Sequence, residues 1–419
     1  METESGNVPK TCLMLVDTPV ESDRRVLSCI AAYERAGVAV EIVNVKKAPI
    51  SAKAWVIAAP SIIWFIVWFT LIWAASVIRC LPRYQYMWRV KNLTHYRLRP
   101  VNLPLMFWYE TFAHIARGVA FTHANKSQWI KADFIHAHDL AALSFAQFFE
   151  TRAGTMLTYD AHELSAFRNR PEQSWLSGLL ITGFESASIR RSVNHVISVS
   201  PFILAYMRFF ARKAASFNLI INDFYLAKNI VRNSSEPQSE RYAIVYIGSV
   251  IKGRGLTELV KLFEKTKECS LYIYCPEDTE RQRSFGDVYD QAENVTVRYG
   301  PYDKTIAKDL EPFHRVYGWA GLEDICLSYR YAVPNKIFQY VKFGIPPIAD
   351  KKLYTFNFLR KYVKILSGDI ITDEVIKLKS SLGNDEYYSI SNNIMSGFFG
   401  DDLYYESCIN KFVKNLKRD

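Results

Sequence analysis

Short apolar strands alternate with helices along most of the 419-residue chain, and this alternation constrains the fold more than any other feature. Such an alternation predicts parallel sheets with helices on both faces. One hydrophobic core usually stops growing before this length, so we expect two domains of this kind. The predicted strands are CLMLVD, VEIVNV, DFIHAH, TMLTYDAHEL and VNHVISVS in the first domain, and YAIVYIGSV, SLYIYCP, NVTVRYG and DICLSY in the second.

Composition changes mark the predicted domain boundaries. Residues 226–241 are polar and rich in turn-forming residues, which indicates a linker. We therefore predict a first domain at 1–225 and a second at 242–400. A helix within 401–419 is expected to pack back on the first domain.

Residues 54–78 contain no charged side chain, and a basic stretch follows them. Their length suits a transmembrane helix. However, strands of one sheet are predicted on both sides, and a single crossing would separate strands that must pair. We therefore predict a re-entrant or interfacial segment at 54–82, broken near Pro60 and lying in one leaflet. A buried core helix is the alternative.

The charge balance and the cysteine pattern limit the binding partners and the cellular location that we expect. The 52 Lys and Arg residues exceed the 42 Asp and Glu residues, which favours an anionic partner. The basic residues are scattered, so nucleic acid is not expected, whereas segment 54–99 is expected to bind an anionic membrane surface. The seven cysteines form no CxxC pair, and residues 1–11 are polar. These features predict a peripheral or monotopic protein on the cytoplasmic side of the membrane.

Polar residues gather at the carboxyl ends of the predicted strands in the first domain. Ligands of parallel sheets bind at this edge. The sequence therefore predicts a binding edge there, made of His136, His138, Asp139, Asp160, His162, Glu163 and Ser200.

The second domain begins with a glycine-rich loop between a strand and a helix, GSVIKGRGLTELV. Gly248, Gly253 and Gly255 let the backbone approach a ligand closely, and Arg254 can bind two phosphate oxygens. Lys336, at the start of a later predicted helix, is a second candidate for phosphate binding. An ordinary glycine turn and a solvent-exposed lysine are the alternatives.

The segment LSYRYAVPNKIFQYVKFGIPPIA (327–349) resembles the donor-binding segment of retaining family 4 glycosyltransferases, which have the GT-B fold. Further blocks are similar to this family in the same order: DRRVLSCIAAYERAGVAVEIV, DFIHAHDLAAL, TYDAHEL, VISVSP and VYIGSVIKGRGLTELV. The resemblance implies two Rossmann-like domains facing a central cleft. It also implies retaining sugar transfer from a nucleotide diphosphate sugar, with no cofactor and no metal.

The resemblance assigns roles to individual residues. Arg254 and Lys336 would neutralise the donor diphosphate, and His162 would bind a hydroxyl of the sugar. The donor-binding set would be Gly248, Ser249, Gly253, Gly255, Asn335, Gln339 and Tyr340. The acceptor side would be formed by Arg25, His138, Asp139 and Glu163.

Three positions depart from the family pattern. Gln339 stands where the family has a glutamate that accepts hydrogen bonds from the ribose, and an amide lacks its charge. Tyr331 replaces a second glutamate of many members, and Ser249 replaces an arginine.

We predict a glycosyltransferase acting on a lipid-linked or glycan acceptor at the cytoplasmic membrane face. A catalytically degenerate membrane scaffold or partner subunit is the second hypothesis, and a soluble transferase or nucleotide-sugar epimerase is the third.

Overall fold

The chain folds into two compact units, here taken from a computed structural model. The first comprises residues 1–223, 326–328 and 405–419, and the second comprises 224–325 and 329–404. The structure describes residues 11–90 (except 49), 105–124, 132–147, 155–168, 175–211, 216–219, 242–263 (except 252), 269–275, 293–300, 305–343 (except 314), 345–350, 364–366 and 412. The predicted linker 226–241 and most of 401–419 lie outside the described residues.

The first unit contains a parallel sheet with the strand order β2-β1-β3-β4-β5-β6. The strands are β1 (Thr11–Val16), β2 (Ala39–Asn44), β3 (Phe134–His138), β4 (Met156–Ala161), β5 (His195–Ser198) and β6 (Ser216–Leu219). Strands β2 and β3 lie on opposite sides of β1, so the chain reverses its winding direction there. In doubly wound sheets, ligands bind beyond the carboxyl ends of the strands at such a reversal.

The described residues of this unit form the helices α1 (Arg24–Arg35), α2 (Ala52–Val90), α3 (Leu105–Ala124), α4 (Asp139–Ala146), α5 (Trp175–Ser192) and α6 (Pro201–Ala211). Helix α1 begins where the Asp23 carboxylate accepts the backbone N–H groups of Arg25 and Val26 at 3.1 and 3.2 Å. Gly37, with φ of +79°, follows the last turn of α1. Phe412 is helical and packs in this unit's core beside His195.

The second unit has a parallel sheet with the order β12-β11-β10-β7-β8-β9. Its strands are β7 (Tyr242–Ile247), β8 (Cys269–Cys275), β9 (Val295–Tyr299), β10 (Arg315–Trp319), β11 (Pro347–Asp350) and β12 (Lys364–Leu366). The helices in this part of the chain are α7 (Leu256–Phe263), α8 (Ile306–Leu310), α9 (Leu327–Tyr331) and α10 (Lys336–Lys342). The predicted α/β architecture of two doubly wound parallel sheets is confirmed.

One predicted strand is wrong. DICLSY was expected to be a strand, but α9 begins within it, and the sheet instead uses β10. The glycine within β10 obscures the strand pattern in the sequence. Gly318 is required because the ring of Tyr340 occupies the space that a Cβ atom would fill. A contact with a later helix therefore explains the residue that weakens the strand signal.

The predicted break of the apolar segment near Pro60 is also wrong. Helix α2 runs without interruption from Ala52 to Val90 and contains both Pro60 and Pro82. A proline inside a helix leaves the carbonyl four residues earlier without its usual N–H donor. Here that carbonyl belongs to Val56, which is 75% exposed. The unpaired group therefore lies on the outer face of the helix rather than in the core.

Helix α2 packs one face against the rest of the first unit. The Trp73 indole N–H donates to the carbonyl of Leu180 at 2.8 Å, and the Phe69 and Phe184 rings lie 5.1 Å apart. Glycines on α5 allow close approach, because a Cβ atom on Gly183 would collide with α2. Further along, Arg83 donates to the carbonyl of Phe209 at 3.1 Å.

The opposite face of α2 is apolar and exposed. Large side chains that are 58–75% exposed follow one another at helical spacing along it: Val56, Ile63, Trp64, Val67, Leu71 and Ile78. We call these six residues the exposed face of α2. Among the described residues, α2 is the one helix long and apolar enough to cross a membrane, by length and composition. Soluble monomers rarely expose such a continuous apolar strip.

Candidate functional site

The loop after β7 is fixed by its glycines and by bonds to neighbouring segments. The indole N–H of Trp319 donates to the carbonyl of Arg254 at 3.1 Å. The N–H of Gly255 donates to the Glu323 carboxylate at 3.1 Å. Three residues have positive φ, which favours glycine: Gly248 (+141°), Gly253 (+95°) and Gly255 (+65°). The loop therefore holds the backbone of Arg254 at the carboxyl end of β7, where the winding direction of the second sheet reverses.

Lys336 begins α10 and is only 7% exposed, close to this loop. Its ammonium lies 4.1 Å from the centroid of the Tyr246 ring. A Cβ atom on Gly248 would lie 2.9 Å from Cε of Lys336, so glycine at this position leaves room for the lysine. Burial lowers the pKa of Lys336 well below its ordinary value, and the nearby charge of Arg254 lowers it further. The two predicted phosphate contacts are therefore neighbours.

Three buried polar atoms at this site have no hydrogen-bond partner in the part of the chain that the structure describes. They are Lys336 Nζ, Arg254 Nε and Gln339 Oε1. Buried polar atoms are normally paired, and an unpaired buried charge is especially costly. The Arg254 guanidinium also lies 5.1 Å from the centroid of the Tyr329 ring. Two basic side chains with no carboxylate partner among the described residues, together with an unpaired amide oxygen, suit a ligand with phosphate groups and a hydrogen-bond donor.

The other residues that we predicted to bind the donor differ in their solvent exposure and in their hydrogen bonds. Asn335 is exposed, and its carbonyl accepts the N–H of Gln339 at 3.2 Å. Ser249 is half-buried, and its carbonyl accepts the Tyr246 hydroxyl at 2.7 Å. Tyr340 is fully buried. Its hydroxyl donates to the Trp319 carbonyl at 2.6 Å and accepts the Ile247 N–H at 3.2 Å, so this group joins β7 to β10.

A second cluster lies at the carboxyl ends of β3 and β4 in the first unit. Its centre is Asp160, whose two oxygens accept hydrogen bonds from Nε of Arg25, at 3.2 Å, and from Nη2. Arg25 and Asp160 are 5% and 2% exposed. Burial raises the pKa of Asp160, but the charges of Arg25 and His162, together with hydrogen bonds from His136 and His162, outweigh it and hold this pKa well below its ordinary value. The expected acceptor contact of Arg25 does not fit this geometry, because its guanidinium is bound inside the fold.

All three predicted histidines approach the same carboxylate. His136 Nε2, His138 Nδ1 and His162 Nε2 are 3.6, 3.5 and 3.4 Å from Asp160 Oδ2. His138 Nδ1 and His162 Nε2 are 3.2 Å apart. His136 stacks on His138 with 4.3 Å between ring centroids, and its Nδ1 lies 2.7 Å from the Tyr33 hydroxyl. The side chain of His162 is 19% exposed and that of His138 is 3% exposed. His162 is therefore the more accessible of this pair to a substrate.

Asp139 borders His162 from the start of α4. Its backbone has a φ of +64°, a left-handed conformation that is rare outside glycine and is often found at functional sites. Its carboxylate lies 3.6 Å from His162 Nδ1 and accepts the His162 backbone N–H at 3.4 Å. Arg168 lies between this carboxylate, at 3.5 Å, and that of Glu163, at 2.8 Å. The structure thus brings together His138, Asp139, His162 and, through Arg168, Glu163.

Three side chains of this cluster, His138, Asp160 and His162, have the spacing of a metal-binding group. The ligand atoms of His138, Asp160 and His162 lie within 4.8 Å of one another, which is close enough for a metal ion. However, both oxygens of Asp160 already accept hydrogen bonds from Arg25. A divalent cation here would lie beside a buried guanidinium and would be repelled by it. These residues fit a hydrogen-bonded network better.

Several residues at the two clusters were not predicted as site residues. Asp160 was placed at the correct sheet edge without a role, and Arg168, Tyr246, Trp319 and Tyr329 were not singled out. The pairing of Arg25 with Asp160 spans 135 positions of sequence. No local pattern could reveal it. For Tyr246, its position directly before the glycine loop was the available signal.

Comparisons with known proteins identify the fold. No protein-family model matches the sequence, and no curated protein matches it. Solved structures do. The apo form of the lipopolysaccharide outer core galactosyltransferase WaaB is 12% identical with a TM-score of 0.53, and the match covers 97% of this chain and 99% of WaaB.

Two other solved structures match over nearly their whole length. TarM is 11% identical with a TM-score of 0.61, and the match covers 99% of this chain and 100% of TarM. The Anabaena protein HepE in complex with UDP-glucose is 11% identical with a TM-score of 0.53, and the match covers 97% of this chain and 98% of HepE. The chain therefore has the GT-B fold.

Proposed function

We propose that the protein is a glycosyltransferase that takes its sugar from a nucleotide diphosphate sugar. The observation that carries this proposal is the pair of neighbouring cations, Lys336 and Arg254, whose buried Nζ and Nε atoms lack partners among the described residues. In this arrangement both cations can bind the donor diphosphate. They would stabilise the charge that develops on it as the glycosidic bond breaks. Among structures of the same fold, HepE was solved with UDP-glucose and WaaB is a galactosyltransferase.

The test is nucleotide binding followed by transfer. Calorimetric titration with UDP and GDP and their sugars identifies the donor, and the labelled donor is then incubated with membrane lipid extracts and glycans. We expect Lys336→Gln to weaken nucleotide binding by about 100-fold and to abolish transfer, because it removes the cationic contact with the diphosphate. Lys308→Gln is the matched control, because Lys308 is exposed on α8 in the same unit. If neither UDP nor GDP compounds bind the unmodified protein, the proposal is wrong.

The finer features of the reaction follow the family that the sequence resembles. We propose retention of configuration and no requirement for a metal ion, since two fixed cations can take the role that a divalent ion has elsewhere. Proton NMR of the fresh product reports the anomeric configuration. Transfer in excess EDTA reports the metal dependence, and loss of activity on chelation would contradict this part of the proposal.

The acceptor is proposed to be lipid-linked, at the cytoplasmic face of a membrane. The exposed face of α2 supports this proposal, because its six large apolar side chains suit insertion into one leaflet. A crossing is disfavoured because β1, before α2, pairs in register with β3, after it. The buried face of α2 would also have to leave Phe184 and Leu180. Exposed Lys53 and Arg79 flank the exposed face and can contact anionic headgroups.

Membrane binding can be tested separately from transfer. Sedimentation with vesicles of phosphatidylcholine and phosphatidylglycerol should retain the protein. The triple variant Trp64→Ser, Val67→Ser and Leu71→Ser should lose most of this binding, roughly tenfold or more by the apolar area removed. Leu27→Ser with Ile42→Ser is the control, because these residues are exposed and apolar elsewhere in the same unit. Equal loss in both variants would contradict a specific role for α2.

One observation favours a degenerate membrane scaffold as the second candidate. Gln339 and the buried Tyr331 leave the site without the two carboxylates of the family pattern. A scaffold should bind neither UDP nor GDP compounds. If the site is active with a weakened ribose contact, Gln339→Glu should tighten nucleotide binding by about threefold to tenfold, because a charged acceptor replaces a neutral one. Unchanged lack of binding in this variant would favour the scaffold.

A further inference from the structure

Both ring nitrogens of His162 face carboxylates. Nδ1 lies 3.6 Å from Asp139 Oδ2, and Nε2 lies 3.4 Å from Asp160 Oδ2. A neutral imidazole carries one N–H, so it can donate to only one of these two groups. The doubly protonated ring can donate on both sides. The arrangement of acceptors around His162 therefore matches the imidazolium form.

The neighbouring histidine is consistent with this assignment. His138 Nδ1 lies 3.2 Å from His162 Nε2, and two protonated nitrogens cannot face each other at this distance without repulsion. Burial, followed by the charge of His136, lowers the pKa of His138 well below its ordinary value, so His138 is neutral. A neutral His138 can accept the proton of His162 Nε2 through Nδ1 and keep its own proton on Nε2.

The backbone of Asp139 adds an independent observation. Its left-handed conformation, with φ of +64°, is unusual for a residue with a side chain. That conformation brings the Asp139 carboxylate to both Nδ1 and the backbone N–H of His162. Strained conformations persist where the surrounding structure enforces them, frequently at functional sites. The carboxylate at Nδ1 is thus held in place rather than being a chance surface contact.

We propose that Asp139 and Asp160 are positioning residues that hold His162 as an imidazolium. Both of its N–H groups are engaged by the protein, so His162 acts on a nearby substrate oxygen through its fixed positive charge and does not accept a proton as a general base. The substrate part of this inference rests on the proposed glycosyltransferase function. The charge state of His162 does not, because it follows from side chains of the first unit alone.

The charged groups around His162 determine the direction in which its pKa shifts. Burial and the Arg25 guanidinium lower the pKa of His162, but Asp139 and Asp160 outweigh them, so the net shift is upward. Arg168 faces Asp139, and Arg25 neutralises most of the charge of Asp160. His138 is neutral, but against the effect of burial Cys29 and Asp160 raise the pKa of His136 to about 9, so His136 adds a positive charge 3.6 Å from Asp160 Oδ2. Asp139 should therefore have the clearest influence on His162, since its only described ion-pair partners are Arg168 and His162 itself.

The first experiment measures the charge directly, on the full chain and without substrate. Histidine labelled with ¹⁵N reports imidazole protonation by NMR, and His162→Gln identifies the signal among the eight histidines. We expect His162 to titrate above the ordinary value of about 6.5, and Asp139→Asn to move the midpoint downward. Asp133→Asn is the control, because Asp133 binds Thr11 at the other end of β3. A His162 midpoint below 6.5 in the unmodified protein would overturn the proposal.

The second experiment separates a fixed cation from a general base. A cation stabilises the reaction only while it is protonated, so kcat should fall as the pH rises through the His162 pKa, whereas a base would lose activity on the acidic side. In Asp139→Asn this fall should occur at lower pH, with the ratio of kcat at pH 6 to kcat at pH 8 rising by about tenfold. An acidic-side loss that Asp139→Asn shifts would overturn the proposal.

Asp160→Asn tests the second carboxylate, and its folding is checked by circular dichroism because the change leaves Arg25 without a charged partner. Asp139→Asn leaves that ion pair intact and keeps the test valid if Asp160→Asn does not fold. If no nucleotide sugar supports transfer but His162 still titrates above 6.5, the proposed function fails while the charge assignment stands. If transfer occurs and His162 is neutral, the reverse conclusion holds.

Discussion

The two polar clusters of the molecule differ in how their charges are paired. In the first unit, Arg25 is bound to Asp160, and both are buried. In the second unit, Lys336 is equally inaccessible, but its ammonium contacts only an aromatic face among the described residues. The Arg25–Asp160 pair at the centre of the first cluster is complete without a ligand, because each charge has the opposite charge beside it. The second has a cationic surplus that an anionic ligand would neutralise. The state of pairing thus differs between the proposed positioning groups of the first unit and the proposed diphosphate-binding groups of the second.

The largest expected effect on stability comes from breaking the Arg25–Asp160 pair. Arg25→Met leaves the Asp160 carboxylate buried without its cation, and we expect the free energy of unfolding to fall by about 3–5 kcal/mol. Urea denaturation followed by circular dichroism measures the change. Arg35→Met is the control, because Arg35 lies on the same helix and its guanidinium is exposed. Combining Arg25→Met with Asp160→Leu should restore most of the stability, and a double variant as unstable as the single one would contradict this account.

The Arg254–Lys336 cluster should respond in the opposite direction. Lys336→Met removes a buried amino group that has no hydrogen-bond partner among the described residues and whose protonation burial disfavours. The ligand-free protein should therefore become more stable, by about 1 kcal/mol. The same change should weaken nucleotide binding by about 100-fold, because a charge-assisted contact with the diphosphate is lost. Chemical denaturation and calorimetric titration give the two values. A variant that loses both stability and binding would indicate that Lys336 has a structural partner instead.

The smallest expected effect concerns the aromatic support of that lysine. Tyr246→Phe keeps the ring against the Lys336 ammonium but removes the hydroxyl that donates to the Ser249 carbonyl. Nucleotide affinity should fall by about threefold, since one neutral hydrogen bond is lost. Tyr246→Leu also removes the ring and should cost about tenfold. Tyr272→Phe, on the neighbouring strand β8, serves as the control. Equal affinities of the Phe and Leu variants would show that the ring is not needed.

The sequence predicted the architecture well because strand and helix patterns are local. The alternation of elements, the glycine loop and the strand-end positions of His138 and His162 could all be read from neighbouring residues. The Arg25 role was missed because its partner lies 135 positions away. Strand β10 was missed because it contains Gly318, and glycine is required there by the ring of Tyr340, which belongs to a later helix. The predictions therefore failed where the identity of a residue depends on a contact with a residue that is distant in sequence.

The Pro60 prediction failed for a related reason. Proline interrupts a helix in general, but the cost depends on whether the carbonyl it leaves unpaired is buried. Val56, which provides that carbonyl, lies on the exposed side of α2. Which side faces outward is decided by the packing of Phe69 and Trp73 against α5. The local sequence contains the proline but not the packing partner.

The position of α2 in the chain also has a consequence for biosynthesis. The ribosome completes α2 at Val90, before β3 at Phe134 and well before α5 at Trp175. Until those residues are synthesised, the side of α2 that later contacts α5 is not covered by α5. The nascent chain therefore exposes an apolar helix on all sides. Early contact with a lipid bilayer or a chaperone would protect this helix from aggregation during translation.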